Sequence, residues 1–378
     1  MTTELHELAG SELPVPGLAR LMREVAATAP AVDANELPAT THLSPLAEQG
    51  LLDLGIEALL QDPLSPEARD VRAVADVIAS LAEECMPTAF STWAHRMVLE
   101  YFARGTRSPE AMQALHELRR AQRTGCTAMA AGLKSLAGIG ELSITAVPAG
   151  DGWTLDGRIT WASNLVDGAI VVLPARTATG TMVVWLDIDT PGFAVRHVEG
   201  LLALDATASG TVQLSGVRVR PHQVLSTDLQ GFAKAFRPGF LILQSAFCAG
   251  IIRRSLAETE NALDRADNAV FAPQVAALRA RVDDFLSRWN RLAGDTASGR
   301  PRDHLELRLD GSHLACQVTR LEATLAGGRG YLTSSAASRR FREAAFLPVQ
   351  SPSEGHLTWE LSLLDSTEST PATGRAAS

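Results

Sequence analysis

Glu354 stands between Ser353 and Gly355, with Pro352 just before it and Leu357 and Trp359 just after. A carboxylate in a partly apolar setting could serve as a general base, because a water-poor site raises its pKa toward the working range. The same short stretch also suits an ordinary solvated loop glutamate. Gly327-Gly328-Arg329-Gly330 begins 27 positions earlier. Such glycines can end a helix, and they can also let backbone come close to a bound group. Between the two stretches lies Arg339-Arg340-Phe341-Arg342-Glu343-Ala344. Arg342 reads either as a surface charge or as half of a buried pair with an acid.

Several other chemistries find no support. His197, His222, His304, His313 and His356 have no metal-ligand spacing with one another or with cysteine. His356 is the one to watch, because it stands two residues from Glu354. Cys85, Cys126, Cys248 and Cys316 are widely separated and form no C-x-x-C pair. They imply neither a zinc site nor a disulfide framework, and they fit a reducing, cytoplasmic compartment. There is no G-x-S-x-G elbow, and Gly138-Ile139-Gly140 lacks the third glycine of a dinucleotide turn. The net charge is −9 and no basic stripe stands out, which argues against a nucleic-acid partner.

The elements that must position these residues change texture twice along the 378 residues. Residues 1–122 read as a helical domain. Leu18, Leu21 and Val25 fit one apolar stripe, and Val71, Val74, Val77, Ile78 and Leu81 fit another. Residues 123–222 read as a β barrel or sandwich, with strands expected at Ala169–Leu173, Met182–Leu186, Phe193–Val198 and Thr211–Val219. Asp156-Gly157 reads as the two-residue turn of a hairpin. Residues 223–365 read as a C-terminal helical bundle. One helix carries Val275, Leu278, Val282, Phe285, Trp289 and Leu292. The next carries Leu314, Val318, Leu321 and Leu325 and ends at Gly327-Gly328. The apolar run Phe240–Ile252 is too short to span a bilayer and reads as a buried helix. The first twelve residues are acidic and do not read as a signal peptide, and 366–378 reads as a disordered tail.

Taken together, these residues resemble the acyl-CoA dehydrogenase family. The family's C-terminal pattern is a G-G-x-G turn, an R-x-x-R-D-A segment and a Glu-Gly pair, in that order. Gly152-Trp153-Thr154-Leu155-Asp156-Gly157-Arg158 and Thr160-Trp161-Ala162-Ser163-Asn164 resemble its G-D-G-Y-x-L-N-G-x-K-x-W-I-T/S-N stretch. The resemblance implies an α+β multidomain fold: an N-terminal helical domain, a middle β barrel or sandwich and a C-terminal four-helix bundle. It implies an FAD-dependent dehydrogenase of an acyl thioester, carried on CoA or an acyl-carrier protein. Trp161 would pack near the flavin and Ser163 would hydrogen-bond it. Gly327 and Gly328 would approach the FAD of a neighbouring subunit in a homodimer or homotetramer. Glu354 would take the Cα proton while a hydride leaves for flavin N5. Electrons would pass on to an electron-transfer flavoprotein or another acceptor. The reading includes no metal and no membrane association.

The chain departs from the family's pattern in three places. The T-E-P-x-x-G-S-D loop is replaced by Ala128-Met129-Ala130-Ala131-Gly132-Leu133-Lys134-Ser135. No R-x-x-F-G segment appears near Arg265–Phe271, and Thr324 stands where a glutamine is usual. These departures keep two alternatives open: a flavin-dependent monooxygenase or oxidase on the same fold, and a degenerate, non-catalytic partner subunit.

Overall fold

The computed structural model describes residues 18–368. The first twelve residues and the tail beyond Glu368 lie outside that range. Seven helices come first: α1 (Leu18–Asp33), α2 (Leu43–Glu48), α3 (Ile56–Gln61), α4 (Pro66–Arg69), α5 (Arg72–Glu84), α6 (Met86–Arg104) and α7 (Pro109–Arg119). Strands follow: β1 (Gly125–Thr127), β2 (Thr145–Ala149), β3 (Gly152–Ala162), β4 (Ile170–Arg176), β5 (Thr181–Asp187), β6 (Phe193–His197), β7 (Gly210–Val219) and β8 (Val224–Ser226). A short helix, α8 (Ala130–Leu136), interrupts them. The chain closes with α9 (Leu229–Asn261), α10 (Ala272–Gly294), α11 (Pro301–Leu325), α12 (Ala336–Ala344) and α13 (Glu354–Glu368). The expected order of helices, sheet and helices is therefore present. The tail expected from 366 begins as helix, since α13 continues to Glu368.

The strands form one sheet in the order β6-β7-β3-β2-β4-β5-β8, with β1 added in parallel to β4. Its inner residues, among them Leu155, Val171, Leu173, Val184, Leu186, Val212 and Val217, are buried and make a core of their own. Asp156-Gly157 is not a hairpin turn. β3 runs straight through it with a register shift, and the β2–β3 turn falls at Gly150-Asp151. The glycine is needed for a different reason. Its φ is +141°, and a Cβ there would lie 2.2 Å from the carbonyl oxygen of Ser143.

α9 runs through the second core. It is long and apolar enough to cross a membrane, but most of that stretch is buried against α5, α6, α10 and α11. α11 ends as its glycines require. Gly327 has φ +61°, the left-handed conformation just past a helix C-terminus.

Candidate active site

A cavity of about 590 Å³ is lined by all three parts of the chain. Its aromatic wall comes from Phe90 and Trp93 on α6, Phe240 on α9, and Phe346 just after α12. Phe90 stacks on Trp93 at 5.5 Å and meets Phe346 edge-on at 5.3 Å, while Phe240 meets Trp93 edge-on at 5.1 Å. Rings locked against each other in this way give a rigid apolar surface.

β3 supplies the opposite side. Residues two apart on a strand share a face, so Trp161 and Ser163 both line the cavity. The Trp161 side chain stays partly open, with 42% of its surface accessible. Ser163 is buried. Its hydroxyl lies 2.7 Å from that of Ser209, which lies 2.8 Å from that of Thr207. Thr207 then donates to the Leu204 carbonyl at 2.7 Å.

The end of β3 is fixed from behind. Asn164 is fully buried with φ +62°, a conformation that asparagine tolerates better than most residues. Its Oδ1 accepts from Ser91 Oγ at 2.6 Å, and its Nδ2 donates to the carbonyls of Ser91 at 2.9 Å and Gly125 at 3.1 Å. Gly125 in turn donates its N–H to His95 Nδ1 at 3.0 Å. That leaves the proton on His95 Nε2, which donates to the Leu118 carbonyl at 3.0 Å. Both ring nitrogens are used in the neutral form, and burial pushes the His95 pKa down to about 4.

The charges on the cavity wall have one sign. Lys134, Arg158 and Arg342 line it, and among the described residues no carboxylate does. Arg342 is balanced by Asp33, at 2.6 and 2.9 Å. That settles its role as half of a buried or half-buried pair with an acid. Arg340 makes a second such pair with Glu322. Burial pushes the Cys85 and Cys126 thiols up to about 12 and Cys248 up to about 11, which keeps these three protonated.

The other expected site residues lie elsewhere. Glu354 does not line the cavity. It opens α13, its carboxylate is 49% exposed, and Oε1 sits 2.9 Å from His313 Nε2 on α11. The chain touches the cavity earlier, at Val349, Gln350 and Ser351, and has left it by Glu354. The expected base therefore stands outside the cavity lining in this structure, at the opening of α13. The first turn of a helix is itself a favourable place for a carboxylate, which accounts for the residue without a catalytic role. His356 is buried beside Glu360 at 2.7 Å, and Glu360 also pairs with Arg237, so it belongs to a link between α9 and α13. Gly327 and Gly328 are remote from the wall and open to solvent, with nothing within 4 Å of a Cβ built on either.

The polar residues near the cavity that sequence reasoning passed over are Trp93, Arg308, Gln350 and Ser351. One signal for Arg308 was present. Leu305, Arg308, Ser312, Ala315, Thr319 and Glu322 recur at helical spacing and are all buried, a second inward stripe that carries polar groups.

A three-part chain with a cavity shared by sheet and bundle defines the acyl-CoA dehydrogenase fold. The structure of a glutaryl-CoA dehydrogenase from Mycobacterium smegmatis in complex with FADH2 superposes with a TM-score of 0.80, at 16% identity and covering 96% of each chain. The prolyl acyl carrier protein oxidase AnaB superposes at 0.75, with 16% identity and 93% and 99% coverage. No family model matches the chain. Its sequence is 23% identical to the mitochondrial short-chain specific acyl-CoA dehydrogenase of Mus musculus over 347 residues, 86% of this chain and 82% of the mouse protein. These likenesses show that the chain has the acyl-CoA dehydrogenase fold.

Proposed function

We propose that this chain is an FAD-dependent oxidoreductase acting on an acyl thioester, on CoA or a carrier protein. The observation that carries the reading is the cavity between β3 and the bundle, walled by Trp161, Ser163 and interlocked aromatic rings. These residues fit a flavin. The open side of Trp161 offers a stacking surface, and Ser163 offers a hydroxyl. The exposed cations Lys134 and Arg158 stand on the wall, where phosphate oxygens would find charge. Bound there, FAD would supply the two-electron chemistry. The chain's own part is to exclude water with its aromatic wall and to hold the acyl group beside β3.

The dehydrogenase form of the reaction needs a base at the substrate's Cα. Glu354 was the expected base, but it faces solvent and His313, and the described wall holds no carboxylate. That observation favours the monooxygenase form of the second reading, since an oxidase of the same thioester would need the same base. A degenerate, non-catalytic partner subunit is the outcome if the chain does not bind FAD tightly. Anaerobic mixing of the FAD-loaded protein with acyl thioesters tests the reading: bleaching of the flavin band supports dehydrogenation. Flavin that stays oxidised with thioester alone, yet once chemically reduced and exposed to oxygen transfers an oxygen atom to the thioester, supports the oxygen-using alternative.

We also propose a homodimer or larger homo-oligomer built on the C-terminal helices, with an electron-transfer flavoprotein or another acceptor as redox partner. Val270, Tyr331 and Leu332 are exposed, at 75%, 92% and 57%. Asn268 donates to the Leu325 carbonyl at 3.1 Å, which holds Val270 close to the Gly327 turn. An apolar patch of this kind calls for a partner surface.

A further inference from the structure

The chain carries 34 lysines and arginines, and only two of them, Lys134 and Lys234, are lysine. The two residue types have different chemistry. A guanidinium stays charged, whereas an ammonium can lose its proton and attack a carbonyl. One of the two lysines stands on the wall of the cavity between β3 and the bundle. The other cations of that wall, Arg158 and Arg342, are arginine.

The elements around Lys134 hold it at the wall. It sits on α8, where Ala130, Ala131 and Lys134 all line the cavity. Residues three and four apart share one face of a helix, so two small methyl groups leave the lysine stem room on that face. α8 is fixed in place. Leu133 is fully buried, and a Cβ on Gly132 would lie 3.0 Å from Pro174 on β4. Trp359 on α13 donates its indole N–H to the Ala137 carbonyl at 2.9 Å, just past the end of α8. Lys134 itself is exposed, and among the described residues its ammonium has neither a hydrogen bond nor an ion pair. No carboxylate among the described residues lines the wall to hold it.

Building on the acyl-thioester reading above, we propose that Lys134 is a modification site, acylated by a thioester bound in this cavity. The neutral amine attacks the thioester carbonyl. A C–N bond forms, the C–S bond breaks, and the acyl group stays on Nζ as an amide. The thiolate leaves and takes up the proton that the nitrogen sheds, so no oxidant, reductant or further reactant is needed. Holding both partners in one cavity raises the rate through proximity. The amide is uncharged, so the reaction removes one of the three cations from the wall.

The test incubates the full-length protein with butanoyl-pantetheine and follows adducts on the two lysines by peptide mass spectrometry. Lys234, exposed on α9 and off the cavity wall, reports the background. Lys134 should be acylated on the order of tenfold or more faster than Lys234. Its rate should saturate with thioester concentration, while that of Lys234 rises linearly. S-Butyl-pantetheine, a thioether with no acyl group to give, should slow Lys134 alone. In urea the cavity is lost and the two rates should converge. Equal rates in the folded protein overturn the proposal, and so does a Lys134 preference that survives in urea or ignores the thioether. The flavin spectrum of the FAD-loaded protein separates this claim from the reading it rests on. Perturbation by the thioester without selective acylation overturns the modification site alone. Neither perturbation nor selective acylation defeats the acyl-thioester reading as well.

Discussion

Asn164 and Ser91 hold each other twice, side chain to side chain at 2.6 Å and side chain to backbone at 2.9 Å, across 73 positions of sequence. This pair, with the bond from Asn164 to the Gly125 carbonyl, ties the end of β3 to α6 and β1. The strand that carries Trp161 and Ser163 is thereby registered against the helix that carries Phe90 and Trp93. Asn164→Ala should lose about 2–4 kcal/mol of stability, since it removes the buried bonds, strands Ser91 Oγ and leaves alanine in a left-handed conformation. Asn164→Gly relieves the backbone and should lose less. Urea denaturation of both variants measures the difference, and a loss below about 1 kcal/mol for Asn164→Ala contradicts the role assigned to it.

Glu354→Gln should leave flavin reduction, or ligand-induced change in the flavin spectrum, within about twofold of wild type, because the residue lies outside the cavity. Stopped-flow traces of the two proteins settle this. A loss of 10²–10⁴ is typical for removal of a positioned base and would show that the loop from Pro348 to Ser353 brings Glu354 to the substrate in the working complex.

Two buried groups give opposing pH dependences. His95 has an ordinary value of 6.5 and a folded value of about 4. Its contribution to stability is full above pH 6.5 and is lost as pH falls toward 4, because the unfolded chain binds the proton first. Burial pushes the Glu343 carboxyl from 4.5 up to about 7. Its contribution is full below pH 4.5 and is lost as pH rises through 7. Glu343→Gln should therefore abolish the decline between those values, worth up to roughly 3 kcal/mol, and leave the acid-side loss in place. Denaturation midpoints across pH 4 to 8 should show this separation; an unchanged pH profile in Glu343→Gln would falsify the assignment.

The exposed patch at Val270, Tyr331 and Leu332 predicts self-association. Light scattering should give at least a dimeric mass at micromolar concentration. Tyr331→Glu should shift that mass toward monomer. A monomeric wild type contradicts the proposed assembly.

Much of this architecture was legible in the sequence because hydrophobic period reports which face is buried. The stripes Val275–Leu292 and Leu314–Leu325 became α10 and α11, and the glycines after Leu325 ended the helix where glycine best can. Trp161 and Ser163 were singled out by resemblance to a family motif, and both line the cavity from one strand. Asp156-Gly157 was misread because a local turn pattern cannot reveal that the backbone of Ser143 passes against that glycine. The position of Glu354 relative to the cavity was not legible, because spacing along a chain does not say where a loop leaves a cavity; the lining ends at Ser351, three residues before it. Arg308 and Gln350 escaped notice because their pairing joins α11 to a loop 42 positions away and carries no local pattern.

The most direct measurement is flavin binding by the purified chain, followed by anaerobic titration with an acyl thioester. The account predicts a stoichiometric flavin spectrum, quenching of tryptophan fluorescence on FAD binding that Trp161→Phe reduces, and a change in the flavin band when the thioester is added. A protein that takes up no FAD at micromolar concentration, or whose bound flavin is indifferent to every thioester offered, contradicts the central claim that the cavity between β3 and the bundle is a flavin-dependent acyl-thioester site.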